Sequence, residues 1–200
     1  MASKFQRAEQ IFRKHGGILG TAAAIREGIH PTTLYSMRDS GRVEQLCRGL
    51  YRLSDGLPLA NPDLVTIAVK IPNAVLCLLS ALSFHELTTQ VPHKIQIAIR
   101  RGTKVPRLNY PPISVFKFTG KAFTEGVESH KIDGVSVRVY SVEKTLADCF
   151  KFRNKIGLDT AVEALRFYRE RRKMNVKDIM RFAAICRVDK VVRPYIEALL

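Results

Sequence analysis

Acidic side chains are in short supply. The 200-residue chain carries 18 Asp plus Glu against 33 Lys plus Arg, a formal net charge of +15 with a sequence pI near 10.0. That deficit leaves two classes open: a protein that binds a polyanion through the field it presents, and one that is merely basic and soluble. Paired cysteines are missing as well. Cys47, Cys77, Cys149 and Cys186 are scattered with no Cys-x-x-Cys spacing, which excludes a zinc knuckle and a disulfide framework and leaves buried, reduced thiols. No metal site and no cofactor are expected. Long apolar runs are absent: the longest, residues 74–79, falls far short of the roughly 20 residues that span a bilayer. The N-terminus also lacks an apolar signal core, so a cytoplasmic protein with no membrane partner is expected. There is no internal repeat and no low-complexity tract.

What is present is most informative in residues 5–53. Phe5, Ala8, Ile11 and Phe12 recur at helical spacing, giving a first helix one apolar face, and Gly16-Gly17 stop it. Ile18 and Leu19 then enter the core. Thr21 is expected to N-cap a short Ala-rich helix over residues 22–27, and Gly28 supplies a turn. Pro31 suits a first helical position, where a missing amide proton costs nothing, so a second short helix is expected over residues 31–40 before Gly41 ends it. Leu34 and Met37 should point inward. That leaves Thr32, Thr33, Tyr35, Ser36 and Arg38 outward, hydroxyl and guanidinium groups able to reach phosphates and base edges. Residues 43–47 and 50–53 are short β-prone runs joined at Arg48-Gly49, a hairpin with Arg42, Arg48 and Arg52 on or near it. Helix, turn, helix and basic hairpin in that order make a winged helix-turn-helix, which lays its second short helix in the major groove of double-stranded DNA and its wing on the backbone.

The turn-forming residues at 54–62 separate this module from the rest. The expected division is a DNA-binding domain over residues 1–57 and an α+β domain over residues 58–200, with Asn61-Pro62 opening a helix over residues 63–70. With 46% hydrophobic residues, both parts can bury cores. The second part reads as an apolar segment and helix over residues 75–87, then strands at 94–100, 113–118, 127–132 and 135–140. In the 94–100 run Ile95, Ile97 and Ile99 alternate with Gln96 and Ala98, which predicts a half-buried strand, and Asp133-Gly134 predicts a hairpin turn. Apolar residues at spacings of three and four then predict a closing helical cluster over 143–152, 158–172, 175–186 and 191–200. Residues 1–60 carry net +4 (9 basic, 5 acidic) and the remainder +11 (24 basic, 13 acidic). The second part is therefore also expected to face nucleic acid or a phosphate-bearing ligand.

The residues do not assemble an active site. Glu143 and Asp148 are five apart and off a common helical face, and neither has the companion carboxylates of a metal-dependent nuclease or nucleotidyltransferase. Lys144 with Asp148 has the spacing of an ordinary helical ion pair, and Ser141 that of an N-cap. His85, among Leu82, Phe84 and Leu87, reads as a packed, hydrogen-bonded residue. No catalytic residue is expected, and the chain is read as a non-enzyme.

Five segments carry a family resemblance. Gly-Ile-His-Pro-Thr-Thr-Leu-Tyr (28–35), Ser-Gly-Arg-Val (40–43) and Cys-Arg-Gly-Leu-Tyr-Arg-Leu (47–53) resemble the winged-helix half of the AbiEi antitoxins of type IV toxin-antitoxin, or abortive-infection, systems. Ser-Ala-Leu-Ser-Phe-His-Glu-Leu (80–87) and Tyr-Ser-Val-Glu-Lys-Thr-Leu-Ala-Asp (140–148) are similar to the paired signatures of that family's second domain. The resemblance implies a repressor that binds the promoter of its own operon and counters a nucleotidyltransferase toxin without forming a stable complex, with the second domain contributing to both tasks. It places the DNA-reading helix on residues 32–38 and the wing on residues 42–52. Added affinity from the second domain would come directly or by pairing two protomers, a dimer on inverted repeats of the operator. A winged-helix regulator of an unrelated operon, and a nucleic-acid-processing enzyme that uses the winged helix for targeting, are the alternative readings.

Overall fold

Ser3 opens the chain's first helix. Its hydroxyl accepts from the Gln6 amide at 3.2 Å while the Gln6 side chain accepts from the Ser3 amide at 2.7 Å, so two amides without intrahelical partners are satisfied reciprocally at the start of α1 (Lys4–Lys14). The computed structural model describes residues 3–56 and 58–199. Its chain forms two compact units, Met1–Pro72 together with His130–Val137, and Asn73–Ser129 together with Arg138–Leu200.

In the first unit α1 buries Ala8 and Phe12, and Gly17 closes it by donating to the Phe12 carbonyl at 2.7 Å. There follow β1 (Ile18–Gly20), α2 (Thr21–Arg26), α3 (Pro31–Asp39), β2 (Val43–Cys47) and β3 (Leu50–Leu53). The strands form an antiparallel sheet in the order β1-β3-β2, with Leu19 opposite Tyr51 and Val43 opposite Leu53. Two details differ from the sequence reading. β1 is a strand where only a core segment was expected. Gly20 rather than Thr21 holds the cap position of α2; Thr21 is its first residue and its amide, free of an intrahelical partner, donates to the Gly49 carbonyl at 3.1 Å. Phe12, Leu34, Met37 and Tyr51 share one apolar cluster beneath the three helices.

α4 (Pro62–Lys70) belongs to this unit as well. Its Val65 is buried with Ile18 and Leu50, and Ile132 and Val135 pack against the same cluster. The Asn61 side chain makes no capping bond. The Asp133 carboxylate instead accepts from the amides of Ala60 at 3.1 Å and Asn61 at 3.0 Å, ahead of the helix. The division therefore falls after Pro72 rather than at the expected residues 57 and 58; Leu57 lies outside the described residues.

The second unit is mixed α+β. Its elements are β4 (Val75–Leu76), α5 (Leu78–Phe84), β5 (Ile95–Arg100), β6 (Ile113–Phe118), α6 (Lys121–Thr124), β7 (Val127–Ile132), β8 (Val135–Tyr140), α7 (Val142–Lys151), α8 (Arg153–Ile156), α9 (Leu158–Arg171), α10 (Val176–Cys186) and α11 (Asp189–Glu197). β7 and β8 run on through the stretch counted with the first unit. The sheet order is β6-β5-β4-β8-β7, with β5 parallel to β6, β4 antiparallel to β5 and β4 parallel to β8. β5 is thus an inner strand, and the half-exposed strand expected from its alternation is not what forms. Ile97 and Ala98, on opposite faces, are both fully buried, since Ala98 is small enough to lie in the cluster of Leu82 and Phe118. Gln96 is satisfied by Ser80, whose hydroxyl accepts from its amide, and by the Leu79 amide, each at 2.8 Å. α7 is the core helix of the expected closing cluster: Leu146, Ala147, Cys149 and Phe150 are all fully buried beside residues of α9, α10 and α11. The last helix was expected to reach Leu200, which lies outside the described residues.

Candidate nucleic-acid interface

α3 forms where Pro31 presets its first turn, and His30 caps it. The His30 Nδ1 lies 2.8 Å from the Thr32 hydroxyl and accepts from the Thr32 amide at 3.4 Å. This cap was not read from the sequence; the signal was a polar side chain immediately before Pro31. Leu34 and Met37 are fully buried, as their spacing predicts. The opposite side carries Thr32, Tyr35 and Arg38, all exposed, flanked by the half-buried Thr33 and Ser36. The Arg38 guanidinium lies 5.4 Å from the Tyr35 ring centroid, and its Nε donates to Asp39 at 2.9 Å. These contacts hold the guanidinium over the helix face rather than letting it sweep through solvent.

The wing turns at Arg48-Gly49, where Gly49 has φ +70°. A Cβ at Gly49 would come within 3.2 Å of the Thr21 hydroxyl and 3.3 Å of Lys70 Nζ, so both backbone angle and space favour glycine. The Arg48 side chain is exposed at this tip, with no hydrogen bond or ion pair among the described residues.

Two further expected members of the surface also carry ion pairs. Arg42 pairs with Glu9 at 2.7 Å and lies 5.1 Å from the Phe5 ring centroid, which ties α1 to the turn after α3. Arg52 lies against Glu44 at 2.7 Å, and its side chain is only 12% exposed. Each pairs with a carboxylate that the sequence spacing did not announce, yet the Arg42 side chain stays 46% exposed, as the Arg38 side chain, paired with Asp39, stays 40% exposed. The expected surface thus presents Thr32, Thr33, Tyr35, Ser36 and Arg38 on α3, Arg42 after it and Arg48 on the wing, with Arg52 largely covered.

In the second unit the groups with acid-base chemistry are held by their neighbours. His85 Nε2 donates to the Tyr140 carbonyl at 2.7 Å, the packed state its setting predicts. Glu143 accepts from the Tyr168 hydroxyl, whose pKa is pushed up to about 12 by burial and by that carboxylate. The Ser141 hydroxyl accepts from the Lys144 amide at 3.3 Å, the expected cap. Lys144 and Asp148 do form the expected pair, but it is fully buried rather than on a helix surface. Lys144 Nζ lies 4.1 Å from the Tyr140 ring centroid, and the Cys186 thiol donates to the other Asp148 oxygen at 3.2 Å. Burial raises the Asp148 pKa and the Lys144 ammonium opposes that rise. Among the described residues no group of His, Cys, Asp or Glu is arranged to hold a metal ion, and no helix is long and apolar enough to cross a membrane.

A three-helix core with a β-hairpin wing and an exposed, hydroxyl- and arginine-bearing third helix defines the first unit as a winged helix-turn-helix. Residues 6–54 match the family described as "Transcriptional regulator, AbiEi antitoxin", in agreement with the resemblance carried by the segments at 28–35, 40–43 and 47–53. The match supports the role of a DNA-binding regulator. The crystal structure of the RV2827C protein from Mycobacterium tuberculosis is similar in fold, with a TM-score of 0.55 at 12% sequence identity, covering 94% of this chain and 77% of that one. No curated protein matches the chain.

Proposed function

We propose that the protein is an autoregulating antitoxin: a repressor that binds the operator of its own operon and counters a nucleotidyltransferase toxin without a stable complex. The observation that carries the DNA-binding part is the outward face of α3, where Tyr35 and Arg38 stack over a helix anchored from behind by Leu34 and Met37. In this reading Arg38 reads a base edge, Thr32, Thr33, Tyr35 and Ser36 position the helix on phosphates and bases, and Arg48 contacts the DNA backbone beside the groove. Two protomers on inverted repeats would double the phosphate contacts of one small module.

The protein acts in the cytoplasm as a binder and not as an enzyme. His85, Glu143 and Asp148 support this, since each is held within the fold by Tyr140, Tyr168 and Lys144. A regulator of an unrelated operon is the competing reading, favoured by a family match that ends at residue 54. The deciding experiment titrates the full-length protein against DNA from upstream of its own gene, and co-expresses it with the neighbouring gene while scoring growth. Binding to its own upstream DNA with rescue of growth supports the antitoxin. Binding without rescue supports the unrelated regulator, and no sequence-selective binding overturns both.

A further inference from the structure

The second unit contains a concavity that the winged-helix reading leaves unused. It is a cavity of about 370 Å³ at the start of α6 and the ends of α7 and α10, lined by Thr119, Lys121, Ala122, Lys151, Cys186 and Arg187 among others. Three exposed cations, Lys121, Lys151 and Arg187, line it, and its lining includes no carboxylate. Among the described residues none of the three charged ends has a hydrogen-bond or ion-pair partner. Behind the floor lies the Asp148 carboxylate, which Lys151 feels electrostatically but which is already paired with Lys144 and accepts from Cys186. Like charges gathered without a partner repel one another, and a bound anion would relieve that repulsion.

Arg187 supplies a second, independent observation. It caps the C-terminus of α10 in the left-handed conformation, φ 59° and ψ 43°, where glycine is the usual residue because a Cβ is crowded there. The chain carries a long guanidinium side chain at this position, one of four non-glycine residues with positive φ among the described residues. A guanidinium forks onto phosphate oxygens through paired N–H donors, and lysines add mobile point charges beside it.

We propose that this pocket binds the di- or triphosphate group of a small molecule such as a nucleoside diphosphate. Lys121, Lys151 and Arg187 neutralise the phosphates, and the Thr119 hydroxyl adds a donor at the rim. The cavity falls within the size range of small-molecule sites, roughly 300–1,000 Å³. A nucleic-acid backbone is a line of single charges that tracks along a surface, whereas three cations around one open concavity suit a compact, multiply charged terminal group.

The test is calorimetric titration of the full-length protein with pyrophosphate, ADP and inorganic phosphate in turn, and with a DNA duplex of arbitrary sequence. Saturable binding of one pyrophosphate or ADP per chain is expected, with inorganic phosphate weaker. Lys121→Ala and Lys151→Ala should each weaken it roughly three- to tenfold. Arg187→Gly should weaken it as much while leaving the melting temperature unchanged or raised, since glycine relieves the backbone there. Absence of saturation by pyrophosphate and ADP at millimolar concentration would overturn the proposal, as would binding unaffected by Lys121→Ala and Arg187→Gly. If the variants lose only duplex affinity, the pocket belongs to a nucleic-acid backbone and the small-molecule proposal fails.

Discussion

The Lys70 ammonium donates a 2.6 Å hydrogen bond to the Arg48 carbonyl, so the last turn of α4 holds the tip of the wing. Gly49 beside it accepts from the Thr21 amide, which fixes the same turn from the start of α2. The wing is therefore anchored at its tip by two elements other than its own strands.

Replacing Lys70 with Ala removes one of these anchors. A stability loss of about 1 kcal/mol is expected for a half-exposed charged donor, measured by urea unfolding. Faster amide exchange in residues 46–50, with the amides of α3 unchanged, would locate the effect in the wing.

Arg38→Ala should cost about 1 to 3 kcal/mol of operator affinity, concentrated at one base position, if the guanidinium reads a guanine. Competition with operators mutated one base pair at a time measures it. Equal affinity of the folded variant and the parent for the operator would remove Arg38 from the reading surface.

Arg48→Ala should instead weaken binding to all sequences alike and reduce the slope of log affinity against log salt by roughly one. Anisotropy titrations at several salt concentrations read that slope. A sequence-selective loss would show that the wing contacts bases.

Breaking the buried Lys144–Asp148 pair from one side should be severe. Lys144→Met leaves a carboxylate with no cation in an apolar setting, a loss of about 3 to 5 kcal/mol. The double variant Lys144→Met with Asp148→Leu should recover most of it. Thermal unfolding of the single and double variants compares them, and equal damage in both would show that packing, not charge, dominates the site.

Alkaline pH should destabilise the protein through Cys186. Burial, then the Asp148 charge, pushes its thiol from an ordinary pKa of 9.0 up to about 12. Between those values the unfolded chain loses the proton and the folded chain keeps it, so stability falls as pH rises, by at most about 1.4 kcal/mol per pH unit for this group. Tyr168, raised from 10.0 to about 12, acts in the same direction over a narrower window. Urea midpoints from pH 8 upward, roughly one unit below the ordinary thiol pKa, should decline, and less steeply in Cys186→Ala.

Local punctuation made the winged helix legible. Gly16-Gly17, Pro31 and Arg48-Gly49 each fix a backbone angle within a few residues, and Leu34 and Met37 gave the buried face of α3 by spacing alone. β1, α6 and α8, at three or four residues each, are too short for any periodicity to register. The fates of Arg42 and Arg52 were hidden for a different reason. Arg42 pairs with a carboxylate 33 positions away, and Glu44 meets Arg52 only because the β2–β3 register sets them opposite one another. Lys144 and Asp148 show the same limit, since a spacing of four reads identically on a wet helix and on one buried in the core.

The first unit is assembled from two stretches of chain, and the second of them, the eight residues His130–Val137, is made long after the rest. Domains tend to fold as their residues leave the ribosome. Here Ile18, Leu50 and Val65 emerge well before Ile132 and Val135, which pack against them, and before Asp133, which takes up the amides of Ala60 and Asn61. Until residue 137 has been translated, the DNA-binding half is an unfinished body with part of its apolar cluster uncovered. Nascent chains stalled before that point should be more susceptible to protease, and a stop codon between Pro72 and His130 should yield a fragment inclined to aggregate even though the whole helix-turn-helix is present.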